Sequence, residues 1–158
     1  MNNTIRHILV PLDLTEASGR IVDFARTVAG GLSADVHLVH VLEEPYTSAG
    51  PYGRPLPDTP ERRERLYAGA RARLMEIAGE IDHRGAQTTV EMRSGAAVEE
   101  IVKAAIDYGT DLIVMGTHGR GGLHHLLNGG VAAEVIRHAP CPVLAIRDHG
   151  GAIAASAA

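Results

Sequence analysis

Asp111-Leu112-Ile113-Val114-Met115-Gly116-Thr117-His118-Gly119-Arg120-Gly121-Gly122-Leu123-His124-His125-Leu126-Leu127-Asn128-Gly129-Gly130-Val131 is the stretch on which the fold turns. Its first five residues form an apolar run, read as a short buried strand. From Val131 to His138 the pattern becomes that of a helix. Between them lie six glycines in fifteen residues and no sustained periodicity. Glycine costs backbone entropy, so this density needs a reason, and most connections in compact domains are shorter. A surface loop that uses glycine for turns is the plain alternative. The more informative reading is a backbone that curls around a ligand and offers it N–H groups. The helix start downstream adds unpaired N–H groups and the positive end of a dipole, which together suit a phosphate. Neither common phosphate loop is present. No Lys completes a GxxxxGK[ST] pattern, and Gly116, Gly119, Gly121 and Gly122 do not fall at GxGxxG spacing.

The rest of the chain sets bounds on that reading. With 158 residues it is expected to form one domain with a sizeable core. Hydrophobic residues make up 45% and aromatics only 3%, so the core must be aliphatic. So few aromatics disfavour a single-stranded nucleic-acid binder, and a net charge of −4 supplies no basic footprint. No nucleic-acid partner is therefore expected. Cys141 is the single cysteine and cannot form an internal disulfide, which fits a reducing compartment. Met1–His7 is polar, and no apolar run approaches the roughly 20 residues that cross a bilayer. A cytoplasmic protein with no membrane partner is expected.

Upstream of the loop, strands and helices alternate. His7–Leu12 is an apolar run ending near a proline and reads as a first strand. Asp13–Glu16 follows as a turn in which Thr15 or Ser18 could cap a helix. Ile21, Ala25, Val28, Ala29 and Leu32 share one face of that helix, and Gly30-Gly31 is expected to end it. Asp35–Val41 reads as the second strand. Residues 43–60 change character, with five prolines and two glycines after residue 44, and read as an irregular loop insertion. Leu66, Ala70, Leu74, Ile77, Ala78 and Ile81 mark a second helix. Thr88–Met92 alternates polar and apolar, as an edge strand does. Val98, Ile101, Val102 and Ala105 face inward on a third helix stopped by Gly109. Beyond the fourth helix, Val143–Ile146 is the last strand, and 148–158 is a Gly- and Ala-rich tail expected to fray.

A βαβαβαβαβ order makes a parallel sheet with helices on both faces. The first and fourth strands are the most apolar and should be central, while the alternating third belongs at an edge. The order 3-2-1-4-5 satisfies both conditions. Connections then change direction between strands 1 and 4, and ligands bind outside the carboxyl ends of the strands at such a point. Pro11-Leu12-Asp13 and the glycine loop both emerge there, so composition and topology single out the same crevice.

These residues resemble the universal stress protein family. Ile8–Asp13, ILVPLD, is similar to its first strand. Met115-Gly116, then Gly119, then Gly129 matches its G-x2-G-x9-G nucleotide loop, and Val131–Leu144 resembles its last helix and strand. The likeness covers about residues 5–147. It implies a single flavodoxin-like (Rossmann-like) α/β domain, a homodimer, a link to stress survival, and binding of ATP or a related adenine nucleotide, ADP or AMP. It further implies that Pro11, Leu12 and Asp13 border base and ribose. Val41 would meet the adenine through its backbone, Gly116, Gly119, Gly129, Gly130 and Val131 would wrap the phosphates, and Met115 would belong to the same nucleotide-binding set.

The sequence departs from the family at Gly130, where the pattern carries Ser or Thr. The N–H survives, but a hydroxyl that would donate to phosphate is lost, worth about 1.5–3 kcal/mol or ten-fold and more in affinity. Arg120 is a charged donor able to compensate. Asp13 could take a ribose hydroxyl or Mg²⁺, or only cap the first helix. A phosphoacceptor reading of Asp13 is set aside, because Arg93-Ser94-Gly95 and Arg147-Asp148 stand where an Asp and a Lys would be needed. The nine histidines include the adjacent His124 and His125, which point apart, and His118; they lack the companions of a tetrahedral metal site. Cys141 reads as a buried structural thiol. A dimeric nucleotide-binding regulatory module is favoured over a slow ATPase or phosphotransferase, since no strong general base beyond Asp13 and the histidines flanks the loop. A nucleotide-free stress scaffold follows only if Gly130 abolishes binding. The apolar edge Val143–Ile146 is the expected dimer contact.

Overall fold

The computed structural model describes residues 4–16, 18–43, 57–81, 86–117 and 130–147. In chain order the elements are β1 (His7–Pro11), α1 (Ser18–Leu32), β2 (Asp35–Leu42), α2 (Pro60–Ile81), β3 (Thr88–Ser94), α3 (Ala97–Asp107), β4 (Leu112–Gly116), α4 (Val131–His138) and β5 (Val143–Ile146). The sheet is parallel throughout, in the order β3-β2-β1-β4-β5. This is the flavodoxin-like arrangement expected from the sequence. Residues 44–56 of the proline-rich stretch, 118–129 of the glycine loop and the tail 148–158 lie outside the described residues.

Hydrophobic alternation distributes the strands between two cores. Ile8, Val10 and Leu12, with Val36, Leu38, Leu112 and Val114, pack against α1 and α2. Leu9, Val39, Ile113 and Met115 point the other way, against α3 and α4. The central strands β1 and β4 are buried on both faces, which is why their sequences are continuous apolar runs. β3 lies at an edge and is half-buried to exposed along its length, as its alternation foretold. Register places Ile8 beside Val36 and Leu112, and Leu9 beside His37 and Ile113.

Helix ends explain the spacing of the elements. Thr59 caps α2: its hydroxyl accepts from the Arg62 N–H at 3.3 Å, and Pro60 takes the first helical position, where a missing N–H costs nothing. At the end of α3, the Gly109 N–H donates to Ile106 and the Thr110 N–H to Ala105, a Schellman closure with Gly109 at φ 62°. The end of α1 differs from expectation. Gly30 and Gly31 lie inside the helix, which runs on to Leu32. The left-handed residue is Ser33, at φ 52°, and the Ala34 N–H donates to Ala29 at 3.1 Å. Ala34 is fully buried, so the apolar contact that seals this end passes to it, and Leu32 is left 46% exposed.

Candidate functional site

Between β1 and β4 the chain's direction of progress reverses. β1 leads through α1 to β2 on one side, and β4 leads through α4 to β5 on the other. The crevice beyond their carboxyl ends is bordered by the β1–α1 turn, the end of β2, the end of β4 and the start of α4.

The β1–α1 turn is built around one carboxylate. Asp13 Oδ1 accepts from the Thr15 N–H at 3.0 Å, the Thr15 hydroxyl at 2.8 Å and the Ser18 hydroxyl at 3.1 Å. The first of these is an Asx turn, which mimics a backbone turn with a side chain. Leu14, between donor and acceptor, adopts φ 60°, a conformation that costs a residue with a Cβ about 1–2 kcal/mol. Its side chain packs against the α1–α2 core and offsets that cost. Asp13 Oδ2 takes no part in the turn. It is buried and meets no hydrogen-bond partner among the described residues. An orphaned carboxylate oxygen is expensive unless a ligand or solvent completes it. One oxygen of Asp13 thus holds the turn, and the other takes no bond among the described residues.

Leu12 precedes it and is fixed by β2. Its N–H donates to the Val39 carbonyl at 2.9 Å, and its own carbonyl accepts from His40 Nδ1 at 2.7 Å. Because a carbonyl only accepts, the proton is on Nδ1. His40 is 5% exposed. Its role is the part of this site that sequence reading missed, although a histidine interrupting an apolar strand just before its end was a visible signal.

The other expected residues divide by what the fold does with them. Pro11 is buried in the sheet, Leu12 in the α1–α2 core and Met115 in the α3–α4 core. The side chains of Leu12 and Met115 are occupied there, so these two reach the crevice through the main chain; Pro11 is buried but belongs to neither core cluster. Val41 and Gly116 are half-buried at the strand ends. Gly130 is the N-cap of α4, with φ −61°, ψ 166° and no side-chain cap, and Val131 is 38% exposed on the first turn. The first N–H groups of that helix have no partner within it. Gly119, Arg120 and Gly129 lie outside the described residues, as do His118, His124 and His125.

A second polar cluster, also missed, lies along the α3 side of the β2–β3 edge. The His37 ring stacks on Tyr108 at 4.3 Å and is bracketed by Thr89 Oγ1 at 2.7 Å and Glu91 Oε2 at 2.8 Å. Arg93 continues it to Glu91 at 3.0 Å, Glu100 at 3.6 Å and Asp107 at 2.8 Å. Burial works to raise the Glu91 pKa, but hydrogen bonds from His37 and Arg93 overbalance it and hold the carboxyl below its ordinary value. The hydroxyl–imidazole–carboxylate chain looks like nucleophile activation. It sits at the carboxyl end of α3, whose dipole would oppose an oxyanion, so it serves as a clamp between β3 and α3. Among the described residues no group of histidine, cysteine and acidic side chains could hold a metal, and no helix is long and apolar enough to cross a membrane. Cys141 is half-buried, and burial pushes its thiol pKa up, away from the reactive thiolate.

Residues 4–147 match the universal stress protein family. A universal stress protein of Methanocaldococcus jannaschii is 31% identical over 147 residues, covering 92% of this chain and 84% of the relative. The solved structure of another protein of that archaeon superposes with a TM-score of 0.77 at 27% identity, covering 94% of this chain and 99% of that one. A universal stress protein crystallised in complex with cAMP has a TM-score of 0.70 at 23% identity, covering 92% and 99% respectively. Family match, identity and fold agree with the strand order and the switch-point crevice: the chain belongs to the universal stress protein family.

Proposed function

We propose that the chain binds an adenine nucleotide, ATP in the first instance, in the crevice beyond β1, β2 and β4, and acts as a dimeric regulatory module. The observation that carries this reading is Asp13 Oδ2, buried and without a partner among the described residues, at the topological switch point. A carboxylate oxygen there suits a ribose hydroxyl, which can donate to it. Val41 at the end of β2 offers main-chain groups to the base. Gly116, Gly119, Gly129, Gly130 and Val131, with the start of α4, face the phosphates, and Arg120 supplies charge. Mg²⁺ enters on the phosphates. The solved relative with cAMP has the same fold at 23% identity, and its ligand is a reason to offer this class of molecule.

Regulation by binding is preferred to catalysis because the sequence offers no strong general base beside the loop beyond Asp13 and the histidines. Hydrolysis needs a positioned water and charge on the transferring group. The test is calorimetric titration of the chain with ATP and Mg²⁺, with product analysis of the same sample. Saturable binding without turnover is expected. Multiple turnovers would place the protein among ATPases. No binding, with recovery in Gly130→Ser, would leave a nucleotide-free scaffold as the natural role.

A further inference from the structure

The β1–β2 ladder ends where the Leu12 carbonyl takes a side-chain partner and β1 turns into Asp13. Paired register stops at Pro11↔Val39. The Leu12 N–H still donates to Val39, so a continued parallel ladder would next send the Val41 N–H to the Leu12 carbonyl. That carbonyl instead accepts from His40 Nδ1 at 2.7 Å. Alternate residues of a strand present their main-chain groups to alternate sides. Val41, two residues after Val39, therefore presents its N–H and carbonyl toward β1, where β1 has turned away into Asp13. β2 meanwhile stays paired with β3 through Val41↔Arg93 and Leu42↔Ser94. The strand end is thus held rigid on one side and open on the other.

We infer that His40 is a positioning residue of the nucleotide site and sets its base preference. By occupying the Leu12 carbonyl it leaves the Val41 N–H to the crevice; the Val41 carbonyl, whose next ladder partner would be the Leu14 N–H, is left by the β1–α1 turn, and the two form a donor–acceptor pair. Adenine offers the complementary pair, a ring nitrogen that accepts and an exocyclic amine that donates; hypoxanthine reverses both. The same bond fixes Leu12 immediately before Asp13, so base and ribose contacts share one anchor. His40 touches no ligand in this scheme and acts through Leu12 and Val41. The inference rests on the adenine-nucleotide reading above.

The test compares ATP with ITP, which differ only at the base. The unaltered chain is expected to prefer ATP. His40→Leu fills the space without a donor, letting Val41 close onto Leu12, and should reduce the preference by about three- to ten-fold, the worth of one neutral hydrogen bond. His40→Asn carries an amide nitrogen close to the Nδ1 position and should restore it. Loss of stability alone would weaken both nucleotides equally. A second readout needs neither nucleotide nor variant: the Val41 amide hydrogen should exchange faster than that of Val39 in the unaltered chain. An undiminished ATP preference in His40→Leu, or a Val41 amide as protected as Val39, overturns the inference and leaves nucleotide binding standing. Absence of ATP binding by the unaltered chain overturns the function proposed above, and comparison of the Val41 amide between the unaltered chain and His40→Leu still decides whether His40 ends the ladder: slower exchange in the variant supports it and an unchanged rate overturns it.

Discussion

The Ser18 hydroxyl donates to Asp13 Oδ1 at 3.1 Å and ties the first residue of α1 to the residue that ends the β1 extension. The same oxygen holds both donors of Thr15. Asp13→Ala removes an acceptor shared by these groups and is expected to cost about 1–2 kcal/mol, as loss of a helix cap does. Asp13→Asn keeps an acceptor at the crowded position and places its amide where Oδ2 stood. Stability should then stay within about 0.5 kcal/mol of the parent, since Asn and Asp cap about equally, while ATP affinity falls about ten-fold through loss of the charged acceptor. Thermal melts and titration of both variants separate the two oxygens. Equal affinity of Asp13→Asn and the parent would remove Asp13 from the ligand's contacts.

Gly130 can be tested in the opposite direction. A Cβ at this position meets nothing within 4 Å among the described residues, and φ −61° with ψ 166° is the extended backbone that a serine cap adopts. A serine hydroxyl can accept from an N–H of the first turn and donate its own proton to a phosphate. Gly130→Ser should therefore add a few tenths of a kcal/mol of stability and tighten ATP about ten-fold. A stability gain without an affinity gain would mean that the phosphate lies elsewhere.

Two left-handed helix ends carry residues of opposite suitability, Ser33 at φ 52° after α1 and Gly109 at φ 62° after α3. Ser33→Gly should stabilise by about 1 kcal/mol and Gly109→Ala should destabilise by about the same. In a domain of this size each corresponds to about 2–4 °C in the melting temperature. Differential scanning calorimetry of the pair gives the signs directly. A loss in Ser33→Gly would show that its hydroxyl matters more than its backbone.

Those two ends also show where the sequence could be read and where it could not. Gly109 was legible because glycine follows the last inward residue of α3 at once. The α1 stop was misread because Gly30-Gly31 is the stronger local signal, whereas Ser33 is held left-handed by burial of Ala34, a tertiary effect. The sheet order was legible because burial on both faces makes β1 and β4 continuous apolar runs, while β3 alternates. At the site, Asp13 and Gly130 could be named from turn and loop chemistry. The division of labour between the two oxygens of Asp13 could not, nor could the His40 bond to Leu12 across 28 residues, since both depend on which strands lie side by side.

Acid should loosen the amino end of the sheet. Asp111 Oδ2 accepts from the Arg6 N–H at 2.9 Å and the His7 N–H at 3.0 Å, joining the approach to β1 with that to β4. The Arg6 hydrogen bond foremost, with the His7 bond and against the cost of burial, holds the carboxyl below its ordinary 3.8. A depressed pKa means stability that is complete above the unfolded value and lost as pH falls through the folded one. The Asp111 contribution is therefore present at neutral pH and disappears below about pH 4. Asp111→Asn retains an acceptor for the N–H groups but does not titrate, so its stability profile should be flatter than the parent's below that pH. Identical acid profiles would show that the carboxylate is not linked to folding.

The β5 edge gives a direct test of the proposed dimer. The Ile113 N–H donates to the Pro142 carbonyl and the Thr117 N–H to Ile146, so the even-numbered residues of this strand turn their main-chain groups toward β4. Val143 and Ala145 then turn theirs to the outer edge, where a second copy would pair. Val143, Leu144, Ala145 and Ile146 are each only half-buried within one chain, leaving apolar surface to cover. Ala145→Pro deletes an outward N–H without removing a bond to β4, and proline is tolerated on such an edge. Sedimentation should show a dimer at micromolar concentration for the parent and a folded monomer for Ala145→Pro. A parent that sediments as a monomer removes the dimer from the proposal. A variant that still dimerises moves the interface off this edge, toward the exposed Ile136 and Val131 of α4.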